Sequence, residues 1–274
     1  MRGRRPAHSR KPGPGAGGCA ALREITLAFL LLLPLAGRAA PAEEDALWAL
    51  WRTHTDSLAK PAAVISACRA FEAANTQSPF VIVSRGLQAW QLQKNGPTNE
   101  AAVIWQGLLS ASDDPMHRAG AQMARTWLTR ADRDQVRLAL RQLYNQKILY
   151  PVALPESIQP ATDRWGKKWA YRLTQPRFLK DVTAQIYELQ SPTLGANSDL
   201  QAALAIPYGS RLGLHPVRVD GEAVTFTTGG GQDRVVLSPG TEFSGTAFVF
   251  LGESLLVLSD GNHWAVLRRP GGGK

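Results

Sequence analysis

The chain has 274 residues, 44% of them hydrophobic and 19% charged, with 25 Gly, 18 Pro and 2 Cys. That length can bury one large core or two to three smaller ones. The balance excludes collagen, a disulfide-stapled mini-domain and wholesale disorder. The formal charge of +9 suggests nucleic acid until its location is read. Residues 1–42 hold seven basic side chains and one acid, so the other 232 residues carry 24 basic and 21 acidic ones, a net of +3. Phosphate-binding surfaces concentrate Lys and Arg in a stripe. The body shows no such stripe, and nucleic acid is not an expected partner.

The N-terminal stretch reads as an export signal. Residues 1–24 are basic and rich in Gly and Pro, and Ile25 to Gly37 is a 13-residue run without charge. That is short of the ~20 apolar residues needed to cross a bilayer core but matches a secretory h-region. Ala40-Pro41-Ala42 offers an A-x-A site ahead of Glu43-Glu44-Asp45, which predicts a signal peptide over 1–42 with cleavage after Ala42. The alternative is an uncleaved anchor capped by Arg38 and the acidic cluster, and membrane contact then runs through the leader alone. Arg4-Arg5 is followed by Pro6, so no twin-arginine signal is read, and Cys19 precedes the apolar run, unlike a lipobox cysteine. Either route places the body in the periplasm or cell envelope. Cleavage leaves Cys68 as the sole thiol, so the fold must be held by its core. Cys68 itself reads as a small buried apolar residue on a stripe with Val64, Ile65 and Phe71.

Residues 43–146 read as a helical domain. Ala46, Leu47, Leu50 and Trp51 recur at helical spacing, and Pro61 stands where a first-turn proline is tolerated. Asn95-Gly96-Pro97 ends one helix, and the next presents Ala102, Val103, Trp105, Gln106 and Leu109 to the core. Asp113-Asp114-Pro115 separates that helix from one marked by Ala119, Met123, Trp127 and Leu128. Asp132 to Asp134 predicts a cap for a last helix bearing Val136, Leu138, Leu140 and Leu143. Five or six helices of about 12–18 residues follow from this spacing, as a bundle without a recognisable repeat. Trp48, Trp51, Trp90, Trp105 and Trp127 are expected in the core.

From 147 to 211 the texture changes to turns and short strands. Tyr150-Pro151 follows the last helix. Asp163, Trp165, Gly166 and Tyr171 then fit D-x-W-G-x-x-x-x-Y, and Tyr187, Leu189 and Ser191 fit Y-x-L-x-S ahead of Gly195. Chemistry alone makes this a hairpin: Asp163 can accept from amides two residues on, Gly166 supplies a positive φ, and Trp169 and Tyr171 share a strand face. The run over about 136–200 resembles the globular half of the major pseudopilin of type II secretion systems. The resemblance implies contacts with secretion or pilus-assembly proteins. Two features depart from that family. Its N-terminal filament helix is replaced by a helical domain, and its calcium loop by Gly195-Ala196-Asn197-Ser198-Asp199. Asn197 and Asp199 offer two side-chain oxygen donors against the six to eight that calcium takes, so an Asx turn is expected there and no metal.

Residues 212–270 read as a small all-β domain, a closed barrel or a sandwich, ahead of a tail over 271–274. Pro216–Val219 and Ala223–Phe226 flank Asp220-Gly221, a type I′ hairpin signal, and Gly229–Gly231, Ser238–Gly240 and Asp260-Gly261 punctuate further strands. The fold class expected is therefore α+β: a helical bundle, a short pseudopilin-like hairpin module and a small β domain.

No catalytic pattern emerges. His54, His117, His215 and His263 are scattered without metal-ligand spacing, and Gly252-Glu253-Ser254 starts a nucleophile elbow that Leu256 fails to complete. Glu43, Glu44 and Asp45 read as a solvated helix start. A serine hydrolase built from Ser254, His215 and Asp220 remains an alternative, as does a glycan-binding module using exposed tryptophans. The leading expectation is an exported, non-enzymatic envelope protein without a cofactor. It would act through contacts with envelope or secretion-machinery proteins as an accessory to a type II secretion or pilus-like system.

Overall fold

The structure, a computed structural model, describes residues 40–271 apart from 57, 111, 180–181, 210–212, 230 and 232. The leader, its apolar run, Cys19, Arg38 and tail residues 272–274 lie outside the described residues. The architecture is α+β, with helices in the N-terminal part and antiparallel sheets in the C-terminal part. Among the described residues no helix is long and apolar enough to cross a membrane.

The helices are α1 (Pro41–Thr55), α2 (Pro61–Ala74), α3 (Val81–Asn95), α4 (Thr98–Gly107) and α5 (Pro115–Lys147), followed later by the short α6 (Leu200–Leu204). Prolines sit in the first turn of α1, α2 and α5, where their missing N–H costs no helical bond. Two details of the α4 reading shift. Its buried residues are Ala101 and Trp105, with Leu108 just beyond, whereas Val103 and Gln106 face solvent. Val103 and Gln106 lie off the stripe that Ala101, Trp105 and Leu108 define at spacings of four and three.

The larger correction concerns α5, which runs unbroken for 33 residues, ~50 Å. Asp132–Asp134 does not start a new helix. Asp132 is 4% exposed and its carboxylate takes a two-point contact from the Arg164 guanidinium, with Arg164 Nη2 2.9 Å from Oδ1. Asp134 lies within 3.6 Å of Arg137. With both carboxylates held by arginines, neither turns back to cap a backbone amide. Leu138, expected inside, is 56% exposed, while Val136 and Leu140 are fully buried.

Strands β1 (Ala170–Leu179) and β2 (Val182–Gln190) form an antiparallel hairpin against α5. Val136 and Leu140 of α5 share a core with Ile158, Trp169 and Leu189. The remaining strands form two open antiparallel sheets: β3 (Leu214–Asp220), β4 (Ala223–Thr228) and β5 (Arg234–Leu237), then β6 (Thr241–Phe243), β7 (Thr246–Leu251), β8 (Leu255–Ser259) and β9 (Trp264–Arg268). The described strands close no barrel. In the β3–β4 turn Gly221 has φ +61° and Glu222 has no positive φ. That is the II′ pattern rather than the expected I′.

Strand β8 decides how these pieces stack. All five of its residues are buried, so it has no solvent face. Leu255 and Val257 enter the large core made by α1–α5, while Leu256 and Leu258 enter a second core with Val224, Phe226 and Leu237 of the three-stranded sheet. The four-stranded sheet is thus the middle of three layers. Residues Arg38–Lys274 form one compact unit, and the helical and β textures share a core within it. Trp264 of β9 reaches the helices through a notch at Gly86 of α3, where an added Cβ would stand 2.5 Å from the indole nitrogen.

Glu44 fastens the first helix to this sheet. It is 1% exposed, not solvated as its sequence context suggests. It accepts from the amides of Glu253 at 2.9 Å and Ser254 at 2.7 Å and from the Ser254 hydroxyl at 2.9 Å. Gly252 stands against the carboxylate, and a Cβ there would overlap it. A buried amide left without its acceptor costs ~1–3 kcal/mol. Glu44→Ala is therefore expected to lower unfolding stability by about 3 kcal/mol in a denaturant titration, and Gly252→Ala to be destabilising in the same assay.

Candidate functional site

The hairpin motif is built around one carboxylate. Asp163 is 3% exposed, and its Oδ1 accepts from the amides of Trp165 and Lys167, each at 3.0 Å. Its Oδ2 accepts from the hydroxyls of Ser191 at 2.7 Å and Thr193 at 2.9 Å. The turn closes with Gly166 at φ +79°, as its spacing predicts. Burial alone would raise the Asp163 carboxyl, but the Ser191, Lys167, Thr193 and Trp165 donors outweigh it and hold it below the usual carboxylate range. The motif therefore uses Asp163 as a structural knot joining the start of the hairpin to its end. The sequence identifies the turn amides as partners. Ser191 and Thr193 are supplied by the fold.

The aromatic motif residues converge on α5. Tyr150 stacks on Tyr144 with ring centres 4.6 Å apart and meets Tyr187 edge-on at 4.7 Å. The Tyr171 hydroxyl donates to the Pro151 carbonyl at 2.6 Å, and Trp169 Nε1 donates to the Pro160 carbonyl at 2.8 Å. Trp165, by contrast, serves the knot through its amide.

Beside these rings lies an open groove of about 580 Å³ between α5 and β2. Its helix wall carries Arg133, Arg137 and Arg141, and its strand wall runs from Gln185 to Gln190. Arg133 Nε donates to the Leu189 carbonyl at 2.7 Å, closing one end of the groove. Asp199 caps α6 through the Ala202 amide at 2.8 Å and pairs with Arg133 at 3.1 Å. The amide contact and Arg133 hold its carboxyl below the usual range. The Asn197 carbonyl accepts from Arg130 Nε at 2.9 Å. The segment compared above with a calcium loop is thus occupied by arginine contacts and a helix cap.

A second cluster gathers His263 with an acid inside the large core. His263 is 2% exposed and its Nδ1 lies 3.6 Å from Asp260 Oδ2. The rings of Tyr208, Trp127 and Trp90 surround it at 4.7, 6.0 and 6.3 Å. The adjoining cavity is about 60 Å³, room for a water or two rather than a substrate. Arg130 covers it, stacked on Trp127 at 4.6 Å and donating to Asn262 Oδ1 at 2.6 Å. Burial pushes the Tyr208 hydroxyl well above its ordinary value and the Cys68 thiol up to about 12, so neither offers an anion at neutral pH. His54 also faces Tyr208, ring centres 5.4 Å apart. Its pKa drops to about 4, chiefly by burial, with the nearby His263 adding to the shift against a backbone contact at Tyr208.

The other candidate catalytic side chains are not joined. Ser254 donates to Glu44, and Asp220 pairs with Arg218 at 2.7 Å. His215 is exposed on β3, and His117 lies beside Asp114, the N-cap of α5, at 2.9 Å. Trp51, Trp90, Trp105 and Trp127 are buried and present no open ring face, while half-buried Trp48 lies under Arg268 at 4.6 Å. Comparison with protein-family models, with curated proteins and with solved structures found no match.

Two outcomes follow from this geometry. Asp163→Ala removes an acceptor serving four donors and should lower stability by about 3 kcal/mol, with loss of amide protection concentrated in β1 and β2 by hydrogen exchange. His54, harder to protonate in the folded chain than a free imidazole of pKa 6.5, contributes stability that is full above pH ~6.5 and declines as pH falls towards ~4. Denaturant midpoints measured across that window should fall on acidification, and His54→Phe should flatten the slope.

Proposed function

We propose that this chain is an exported envelope protein acting through protein–protein contacts, as an accessory to a type II secretion or pilus-like system. In this reading the leader delivers it to the periplasm or envelope, residues 147–211 form the pseudopilin-like module, and the two C-terminal sheets form a small sandwich that supports it.

The observation that carries the reading is the apolar cluster at the end of α5. Ile148, Leu149 and Val152 are 75%, 59% and 86% exposed, clustered within five residues next to the groove. Ile148 moreover ends α5 at φ +59°, a left-handed conformation that disfavours β-branched residues. Gly or Asn is the usual choice at such a helix end. A strained, exposed isoleucine contributes nothing to the monomer's core that would offset its cost. Such outliers cluster at functional surfaces, and rimmed apolar patches mark partner contacts.

Ile148→Gly separates stability from function. It should raise unfolding stability by about 1 kcal/mol by relieving the left-handed strain. In cells making the full chain, envelope crosslinking should recover secretion or pilus-assembly proteins, and the combined Ile148→Gly and Val152→Ser change should lose them. Equal recovery with the double variant, or recovery confined to unrelated abundant proteins, would discard the reading.

A further inference from the structure

The β2 strand has an open edge, and its direction follows from the atoms already used. The Leu189 carbonyl accepts from Arg133, and the Ser191 amide donates to the Ser198 hydroxyl oxygen at 3.0 Å. Both groups therefore point away from β1. The Ile186 carbonyl instead accepts from Thr174 of β1. Because main-chain groups alternate along a strand, Gln185 and Tyr187 also direct their N–H and C=O away from β1, into the groove. Among the described strands β2 pairs with β1 alone, so no second strand occupies this edge.

The opposite wall keeps step with this edge. Along α5, Arg133 meets Leu189, Arg137 meets Tyr187, and Arg141 acts on Tyr150, whose amide donates to the Gln185 side chain at 2.7 Å. Four helical residues advance ~6 Å and two strand residues advance ~6.8 Å, so the arginine ladder nearly matches the side-chain repeat of an extended chain. Charge along the ladder is uneven. Arg133 is engaged by Asp199, and Arg137 shares Asp134 at 3.6 Å and Asp199 at 3.8 Å. Arg141 is exposed and has no ion-pair partner among the described residues. Glu188, which also borders the groove, is paired with Arg172 at 2.8 Å.

We infer that the groove binds an extended acidic peptide segment, which adds to the β2 edge as a third strand and sets alternate carboxylates against Arg137 and Arg141. Strand addition supplies main-chain hydrogen bonds for affinity, and the arginine ladder supplies selectivity by charge. The inference rests on the protein-contact reading above and names the chemistry of the partner at the same surface.

The test uses the full chain and fluorescein-labelled octapeptides, alternating Glu-Thr and alternating Lys-Thr, read by anisotropy and by amide shifts of Gln185 and Tyr187. The acidic peptide should bind and shift both amides, and the basic one should bind at least tenfold more weakly. Arg141→Glu, a surface change, should weaken acidic-peptide binding at least tenfold and improve the basic peptide. An acidic peptide N-methylated at alternate residues along its pairing edge should lose binding although its charge is unchanged. Absence of acidic-peptide binding, equal binding of both peptides, indifference to Arg141→Glu or full binding by the N-methylated peptide would each overturn the inference. If the peptides fail while the Ile148/Val152 variant still loses envelope partners, the protein-contact reading stands and only the acidic-strand inference falls.

Discussion

The continuity of α5 is the constraint on which the rest of the molecule depends. Its first half contributes Met116, Met123, Ala124, Trp127 and Leu128 to the large core, and its second half contributes Val136 and Leu140 to the hairpin core. Between them lies a polar belt, Thr129, Arg130, Asp132 and Arg133, whose side chains reach outward to the hairpin and to the 195–199 turn. A break at Asp132, as the local sequence suggests, would uncouple the two cores and misalign every arginine beyond it. The helix is kept whole by partners distant in sequence, above all Arg164, which gives the buried Asp132 carboxylate a charge-assisted, two-point contact. Removing Arg164 would leave the buried Asp132 carboxylate without a charge partner.

The same logic of long-range satisfaction recurs at Glu44 and Asp163. Each is a buried carboxylate that accepts from loop amides and hydroxyls rather than pairing with a cation. Each joins segments far apart in the chain, Glu44 by more than 200 residues and Asp163 by about 30. Loops that would otherwise carry unsatisfied donors are thereby fixed against the layers. This makes the two turns rigid, so the Gly252–Ser254 segment and the D-x-W-G turn act as joints rather than as reactive loops.

Asp260 and Arg130 border a cavity of about 60 Å³ beside Trp127, whereas His54 and Tyr208 border a separate open depression of about 470 Å³ with Trp90 and Lys94. The open surface carries arginines, an unfilled strand edge and exposed aliphatics.

Part of this is legible in the amino-acid sequence. Helical periodicity marked the helical segments but divided the longest one at Asp132, because apolar residues at three- and four-residue spacing state a buried face but not where a helix continues. Turn chemistry located the turns at Gly166 and Gly261, both in the left-handed region, but not the β1–β2 connection, where Leu179 pairs with Val182. The buried state of Cys68 and of four tryptophans followed from the same stripes. The motif residues Tyr150, Pro151, Asp163, Trp165, Gly166, Tyr171 and Tyr187 were visible as a local pattern, yet what they border was not. Their groove needs Arg133, Arg137 and Arg141 on one wall and β2 on the other, and the sequence separates these by about 50 residues. Val103 and Leu138 face outward although they look like core residues, and Glu44 faces inward although it looks like surface. The sequence by itself determined which segments are helices, strands and turns, since those depend on periodicity and backbone preference within a few residues. Tertiary structure alone decided that α5 runs through Asp132, that β8 is buried on both faces, and which polar groups are satisfied. Those outcomes depend on partners brought from far along the chain, whose hydrogen bonds and packing outweigh local propensity.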